Sequence, residues 1–494
     1  MDSLSTMNSD LQSLLQLSRA QTNQFSRSKL PQLLSEYKDV TRLTQNDPRI
    51  NEGAHLQHDL ETTTITNNRV VLPKCARLLS KLPDNKGGKN ESGNFIWHQC
   101  TWGIQWSDFE FIDAATKAGH PRSFIKSLPT ELQKTIEDLT NDSDQEVVCR
   151  RAEWARYWLQ RRLQLEKLEK ELHNTMDEAA QRVAKDKKIL LFEEMLRHAG
   201  YSDMNVVSIV RDGVPLVGQV QQSGHFAKTY KPAAISVEYL EQHAADLRGA
   251  ILSGVCSSGD KECDSFVYDE TLKELERGWL SGPHELSELP HNAVISRRFA
   301  LWQKTKYRCI DDYSGSLVNA TCTIDETPFL HTIDIASALL SSWMQSSQRA
   351  GTPLDIVGRS YDLKAAYRQL FIEKSNRPFS YISIHNPHKD KADIFGGIAL
   401  PFGSVQSVYS FLRVAHSLWF LGTTQLTLPW TFFYDDFLCF SKVSLAGNTH
   451  HAATLLFKLL GWNIAEEGSK AADFAHCLHC LGVTFDLSGT LEKW

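Results

Sequence analysis

The chain has 494 residues, of which 41% are apolar and 23% charged, with a formal net charge of −6. That length supports about two to four domains, and the acidic balance excludes a chain-wide basic footprint, so any nucleic-acid contact must be a local patch. Ten cysteines without framework spacing, a start ("MDSLSTMNSDLQSLLQLSRAQ") unlike a signal peptide, and no long apolar run predict an intracellular protein, cytoplasmic or nuclear, with no membrane span.

Residues 1–107 are rich in Ser, Thr, Asn, Gln and Gly, as in "PDNKGGKNESGN" from Pro83, and read as a low-complexity, loosely structured leader with short helices. Residues 108–200 read as a long amphipathic helical region. No proline falls between Pro129 and Pro215, and no glycine between Gly119 and Gly200. Trp154, Trp158, Leu165, Leu168 and Leu172 recur at helical spacing, and Gly200 is the expected stop. The stripe serves either packing against the following domain or self-association through residues 144–197.

Residues 201–293 have a mixed α and β texture and lead into the C-terminal half. "ETLKELERGWLSGP" predicts a helix closed by Gly and Pro, and "AVISRRFALWQKTKYRCIDDYS" predicts strands. Residues 297–308 hold Arg297, Arg298, Lys304, Lys306 and Arg308 with no acid. Such a cluster is a solvated face or a phosphate-binding surface.

In "DIVGRSYDLKAAYRQLFI" the texture changes from strand-like to helix-like at Asp362, which places that carboxylate at a strand end. In "TFFYDDFLCFS" two short strands flank the Asp435–Asp436 pair, which predicts a tight turn carrying the acids. Three carboxylates gathered in one cleft need divalent cations to remain ionised. Mg²⁺ takes carboxylate oxygens and leaves room for substrate phosphates, so the chemistry indicated is two-metal phosphoryl transfer. Between them, "ALPFGSVQSVYSFLRVAHSLWF" is a Pro–Phe–Gly turn followed by an amphipathic helix.

Taken in order, these segments resemble the palm of reverse transcriptases of the retrotransposon type. "YDLKAAYRQL" matches motif A, "LPFGSVQSVYSFL" motif B and "FYDD" motif C, with Gly403 lying 41 positions and Asp435 73 positions beyond Asp362. Upstream, "KYRCIDDYSGSLVN" is similar to the fingers segment with its Lys-x-Arg, Asp and Asn; downstream, Lys470 matches the motif D lysine, and Leu481–Gly482 the Leu–Gly of motif E.

The resemblance covers residues 294–494 and implies an α+β fold, a right-hand fingers and palm with helices on one face of an antiparallel sheet. It implies an RNA-directed DNA polymerase acting on an RNA or DNA template with primer and on deoxynucleoside triphosphates. Two Mg²⁺ ions, for which Mn²⁺ can substitute, would be held by Asp362 and Asp435, with Asp436 as an outer ligand. Tyr367 would be the steric gate against a 2′-hydroxyl, Lys306 and Arg308 would reach the triphosphate, Phe402 and Gly403 would lie against the nucleotide, and Lys470 would act as general acid.

The sequence departs from the pattern in three places. Phe402 stands where many retroviral enzymes carry Gln, Phe433 replaces the commoner Tyr, and "SVQSVYS" is not the usual run after Gly403. The sequence also stops at Trp494, just past motif E, without a thumb, connection or ribonuclease H segment. A catalytically inactive or truncated polymerase-derived nucleic-acid-binding or scaffold protein is therefore the second reading, and an RNA-dependent RNA polymerase the third, disfavoured by Tyr367. "HCLHC" lacks a second ligand pair and reads as a strand or turn rather than a zinc site.

Overall fold

The structure, a computed structural model, describes residues 128–303, 306–467 and 472–488, together with four strands nearer the N-terminus. The chain divides into two compact units, Met1–Ser123 and Phe124–Trp494. In the first, β1 (Thr64–Thr66) pairs with β2 (Arg69–Val71), and β3 (Arg77–Pro83) with β4 (Trp97–Gly103), both antiparallel.

The second unit opens with four helices. These are α1 (Thr130–Asn141), α2 (Asp144–Thr175), α3 (Glu178–Ala184) and α4 (Ile189–Ala199). Ser143 and Glu146 form a reciprocal capping box that starts α2, and Asp177 caps α3, so this region is broken by capping side chains rather than by proline. Gly200 closes α4 at φ 72, as its position predicts. Along the 32-residue α2, Trp154, Trp158 and Leu165 are buried, whereas Leu168 is half exposed. The buried face meets α4 and two later helices, Val405–Leu426 and Ala446–Leu460.

Helices α5 (Val206–Arg211), α6 (Val237–Gln242), α7 (Ala244–Ser253) and α8 (Lys261–Glu276) follow, with β5 (Ala227–Lys231) among them. A five-stranded sheet runs in the order β6–β12–β11–β7–β8. Its strands are β6 (Leu280–His284), β7 (Ile295–Gln303), β8 (Lys306–Asp311), β11 (Tyr381–Asn386) and β12 (Lys391–Gly397). Helix α8 packs Val267 and Tyr268 on one face of it, against Leu280, Ile382, Ile384 and Phe395. The helix predicted from "ETLKELERGWLSGP" is the end of α8; Gly278 follows it, but Pro283 lies inside β6.

A three-stranded antiparallel sheet, β10–β14–β13, consists of β10 (Ile356–Asp362), β13 (Trp430–Phe433) and β14 (Asp436–Lys442). Helices α9 (Ile333–Ala350), α10 (Val405–Leu426) and α11 (Ala446–Leu460) cover one face. Trp419 and Trp430 exchange indole-to-carbonyl hydrogen bonds of 2.9 and 3.1 Å in that core, so each buried N–H is satisfied. The hairpin of β15 (Cys477–Cys480) and β16 (Val483–Asp486) covers part of the other face, with Leu478 against Gly358 and Phe485 against Phe440. Its turn residues Leu481 and Gly482 both have positive φ, which suits a two-residue hairpin loop. β9 (Ile324–Thr327) pairs with β5.

The unit is α+β. Among the described residues, no helix is long and apolar enough to cross a membrane.

Candidate carboxylate site

β10 and β14 pair antiparallel without a slip, from Ile356 opposite Lys442 to Asp362 opposite Asp436. Directly opposed residues lie about 4.5–5.5 Å apart at Cα with side chains on one face. Asp362 and Asp436 therefore share the face that the helices leave uncovered. β13 and β14 pair Phe433 with Asp436, which leaves Tyr434 and Asp435 as the two-residue loop. Leu363 N–H donates to Asp435 O at 3.0 Å, so the loop is tied to the end of β10. Asp362 is 7% exposed, Asp435 and Asp436 are partly exposed, and none of the three lacks a partner. Tyr434 has φ 55, a conformation that costs a bulky residue on the order of 1–3 kcal/mol.

After Asp362 the chain forms only a short 3₁₀ turn, Ala366–Gln369, although its residues favour a helix. Lys364 N–H donates to Asn463 O and Ile372 N–H to Ile398 O, and these tertiary pairings override local propensity. The turn holds the ring of Tyr367 stacked on Phe411 at 4.8 Å and against Phe402 at 4.7 Å. Burial raises the Tyr367 phenol, and the charges of the nearby Tyr434 and Asp435 add to the shift.

Gly403 has φ 97, and a Cβ there would sit 2.3 Å from Asp311 O. Asn319 clamps both sides of this turn: its Nδ2 donates to Gly403 O and its Oδ1 accepts from Val405 N–H, each at 2.9 Å. Phe402 is 45% exposed beside it. Asp362, Asp435, Asp436, Tyr367, Phe402 and Gly403 are thus brought together. Lys306 and Arg308 stand apart, exposed at the outer end of β8, roughly 16 and 10 Å along the strand from Asp311 at about 3.3 Å per residue. Lys470 lies outside the described residues.

The basic patch needs correction. Arg298 is 4% exposed and grips Asp311 with two bonds of 2.6 and 3.0 Å, while its Nη1 reaches Glu274 at 2.8 Å. Alternation on β7 turns Arg298 inward with Asp311 and leaves Arg297 exposed. Lys304 lies outside the described residues. Among the described residues the surface cations of this stretch are therefore Arg297, Lys306 and Arg308, and sequence spacing could not separate them from the buried one.

Sequence reasoning gave no role to four groups that organise the site. They are Asn319, Gln369, Lys187 and the Arg368–Glu274 pair. Arg368 and Gln369 carried one signal, polar residues in the apolar run "YRQLFI"; Asn319 was noted only as the Asn of the fingers-like segment, and Lys187 and Glu274 lie unmarked in charged stretches.

Hard carboxylate oxygens suit Mg²⁺, which is usually held by one or two carboxylates plus waters and substrate phosphates. Asp362, Asp435 and Asp436 offer that set from adjoining backbone positions. Among the described residues no group of three or more His, Cys, Asp or Glu side chains is placed to hold a metal ion, whereas Mg²⁺ is usually held by one or two protein carboxylates with waters and substrate phosphates completing its shell.

Comparison of the chain with protein-family models and with curated proteins finds no match.

Proposed function

We propose that this chain is the RNA-directed DNA polymerase of a retroelement, working inside the cell, with the five-stranded sheet as fingers and the β10–β14–β13 sheet as palm. The observation that carries the reading is the register of β10 against β14, which sets Asp362 opposite Asp436 with Asp435 in the adjoining turn. Sequence positions more than 70 residues apart become neighbours at one end of the sheet.

Asp362 and Asp435, with Asp436 outside them, would hold divalent cations, which when bound lower the pKa of an attacking hydroxyl and neutralise phosphate charge. The chain's own groups do the rest. Asp362 and Asp435 orient their oxygens from a strand end and a tied turn, so little reorganisation is needed at the moment of reaction. Tyr367, packed on Phe411 and Phe402, presents a rigid ring that a 2′-hydroxyl would meet, which favours deoxynucleotides. Phe402 and Gly403 supply an aromatic edge and a close backbone approach for the incoming nucleotide. Arg308 and Lys306, exposed on β8 and apart from the carboxylates, would have to meet the triphosphate from the fingers side, Arg through a planar fork and Lys as a point charge.

Primer extension on an RNA template with Mg²⁺ tests this, comparing deoxy- and ribonucleotides, with Asp435→Asn as control. Deoxynucleotide extension that disappears in the variant supports the polymerase. Ribonucleotide preference indicates an RNA replicase, and template binding without extension indicates a polymerase-derived binding or scaffold protein.

A further inference from the structure

Lys187, between α3 and α4, is 3% exposed. Among the described residues no carboxylate lies within salt-bridge distance of its ammonium, and burial pulls its pKa down to about 7 against a weak opposing effect of Asp186. A buried cation without an anion is a cost to the fold.

Both of its side-chain bonds lead towards Asp362. Nζ donates to Gly461 O at 2.6 Å and to Gln369 Oε1 at 2.9 Å, and lies 4.1 Å over the Trp462 ring. The approach is possible because residue 461 is glycine: a Cβ there would lie 1.8 Å from Asp186 O. Gln369 uses its full bonding capacity. Its Oε1 also accepts from Asn463 N–H, and its Nε2 donates to Lys364 O and Asn463 O, all at 2.9 Å. The backbone gathered in this way runs beside Asp362: Lys364 N–H meets Asn463 O at 2.9 Å, Leu363 bridges Ile464, and Ala465 N–H donates to Asp362 O at 2.8 Å.

We propose that Lys187 is a positioning residue for Asp362, clamping residues 363–364 to residues 463–465 through Gln369. The helical region before the catalytic half is then a working part of the site. The chemical consequence rests on the polymerase reading; the clamp itself does not.

The test uses the full chain with Lys187→Met, which keeps length and removes every donor. Amide exchange at Lys364 and Asn463 is expected to rise about 10-fold, the scale of one lost hydrogen bond, while the amides of α9 stay as protected as before. In primer extension, kcat is expected to fall about 10- to 100-fold with KM for the deoxynucleotide changed less than about twofold, because position rather than binding is lost. Unchanged exchange at both amides overturns the clamp. Faster exchange with unchanged kcat in an extending enzyme overturns the positioning role. A wild-type chain that does not extend primers overturns the polymerase reading, and the exchange measurement still decides the clamp. Should Lys187→Met not fold, Lys187→Leu, which also drops the buried charge and every donor, is read by the same two amides with the same outcomes.

Discussion

Arg368 Nη2 reaches both carboxylate oxygens of Glu274, at 2.8 and 2.9 Å, inside the protein. The pair joins the turn after Asp362 to α8, and Arg298 and Asp311 complete a group of two cations and two anions. Burial pushes the Glu274 carboxyl up, but Arg368 and Arg298 outweigh it and hold it below the ordinary carboxylate range. Removing one anion leaves two buried guanidinium groups sharing Asp311. Glu274→Ala should therefore cost about 3–5 kcal/mol in urea unfolding; a cost near zero would mean that solvent already reaches the pair. The contribution of Glu274 is full above the ordinary carboxylate pKa and is lost as pH falls through its depressed value.

The histidines of the core set a second pH dependence, at milder acidity. His331 is 2% exposed, pressed on Trp419 and Phe432 with no partner for Nδ1, and burial lowers it to about 3. Nearby His416 is lowered by burial and by its neighbours His225 and His331. Unfolding frees these rings to take up protons near their ordinary pKa of about 6.5, so stability is complete above that value and declines below it. Each such ring removes up to about 1.4 kcal/mol per pH unit below 6.5. Thermal melts from pH 7 to 5 should show this slope, and His331→Phe should flatten it; an equal slope in the variant would place the proton uptake elsewhere.

On the proposed polymerase reading, Tyr367 would separate sugar selection from catalysis. Tyr367→Ala should raise ribonucleotide incorporation relative to deoxynucleotide by about 10-fold or more, while Asp435→Asn should lower all extension by at least about 100-fold. Asp435 sits in a partly exposed loop, so its variant is expected to melt with the wild-type protein. A ratio of the two sugars unmoved by Tyr367→Ala would remove the ring from the gate.

At Gly403 a single methyl group is the probe. Gly403→Ala must push Asp311 O aside and hold a non-glycine residue at φ 97, a strain on the order of 1–3 kcal/mol. Because Asn319 couples this turn to Val405, Asn319→Ala should weaken the same turn and raise KM for the nucleotide more than it lowers kcat. Both are read by steady-state extension alongside a melt.

Hydrophobic patterning made the strands around Asp362 and Asp435, the turn between β13 and β14, and the helix after Gly403 legible, because each is a local signal of period or turn chemistry. The turn after Asp362 was not, since Ala365 and Ala366 favour a helix that pairings with residues 398 and 463 forbid. Arg298 and Arg297 are adjacent and chemically identical, and only strand alternation divides buried from exposed. Lys187 and Gln369 are 182 residues apart, and no local pattern marks their bond.

Three buried or half-buried cations of the C-terminal half draw their anions from upstream of it. Arg377 is met by Asp177, Arg413 by Asp203 and Arg368 by Glu274, and Arg151 in turn donates to the carbonyls that end α10. A fragment begun at residue 294, where the family likeness begins, would amputate every one of these counter-charges at once. What resembles a detachable module in the alphabet of motifs is, in its electrostatics, half of an indivisible body, and it should be expressed, swapped or fused only with the helices that neutralise it.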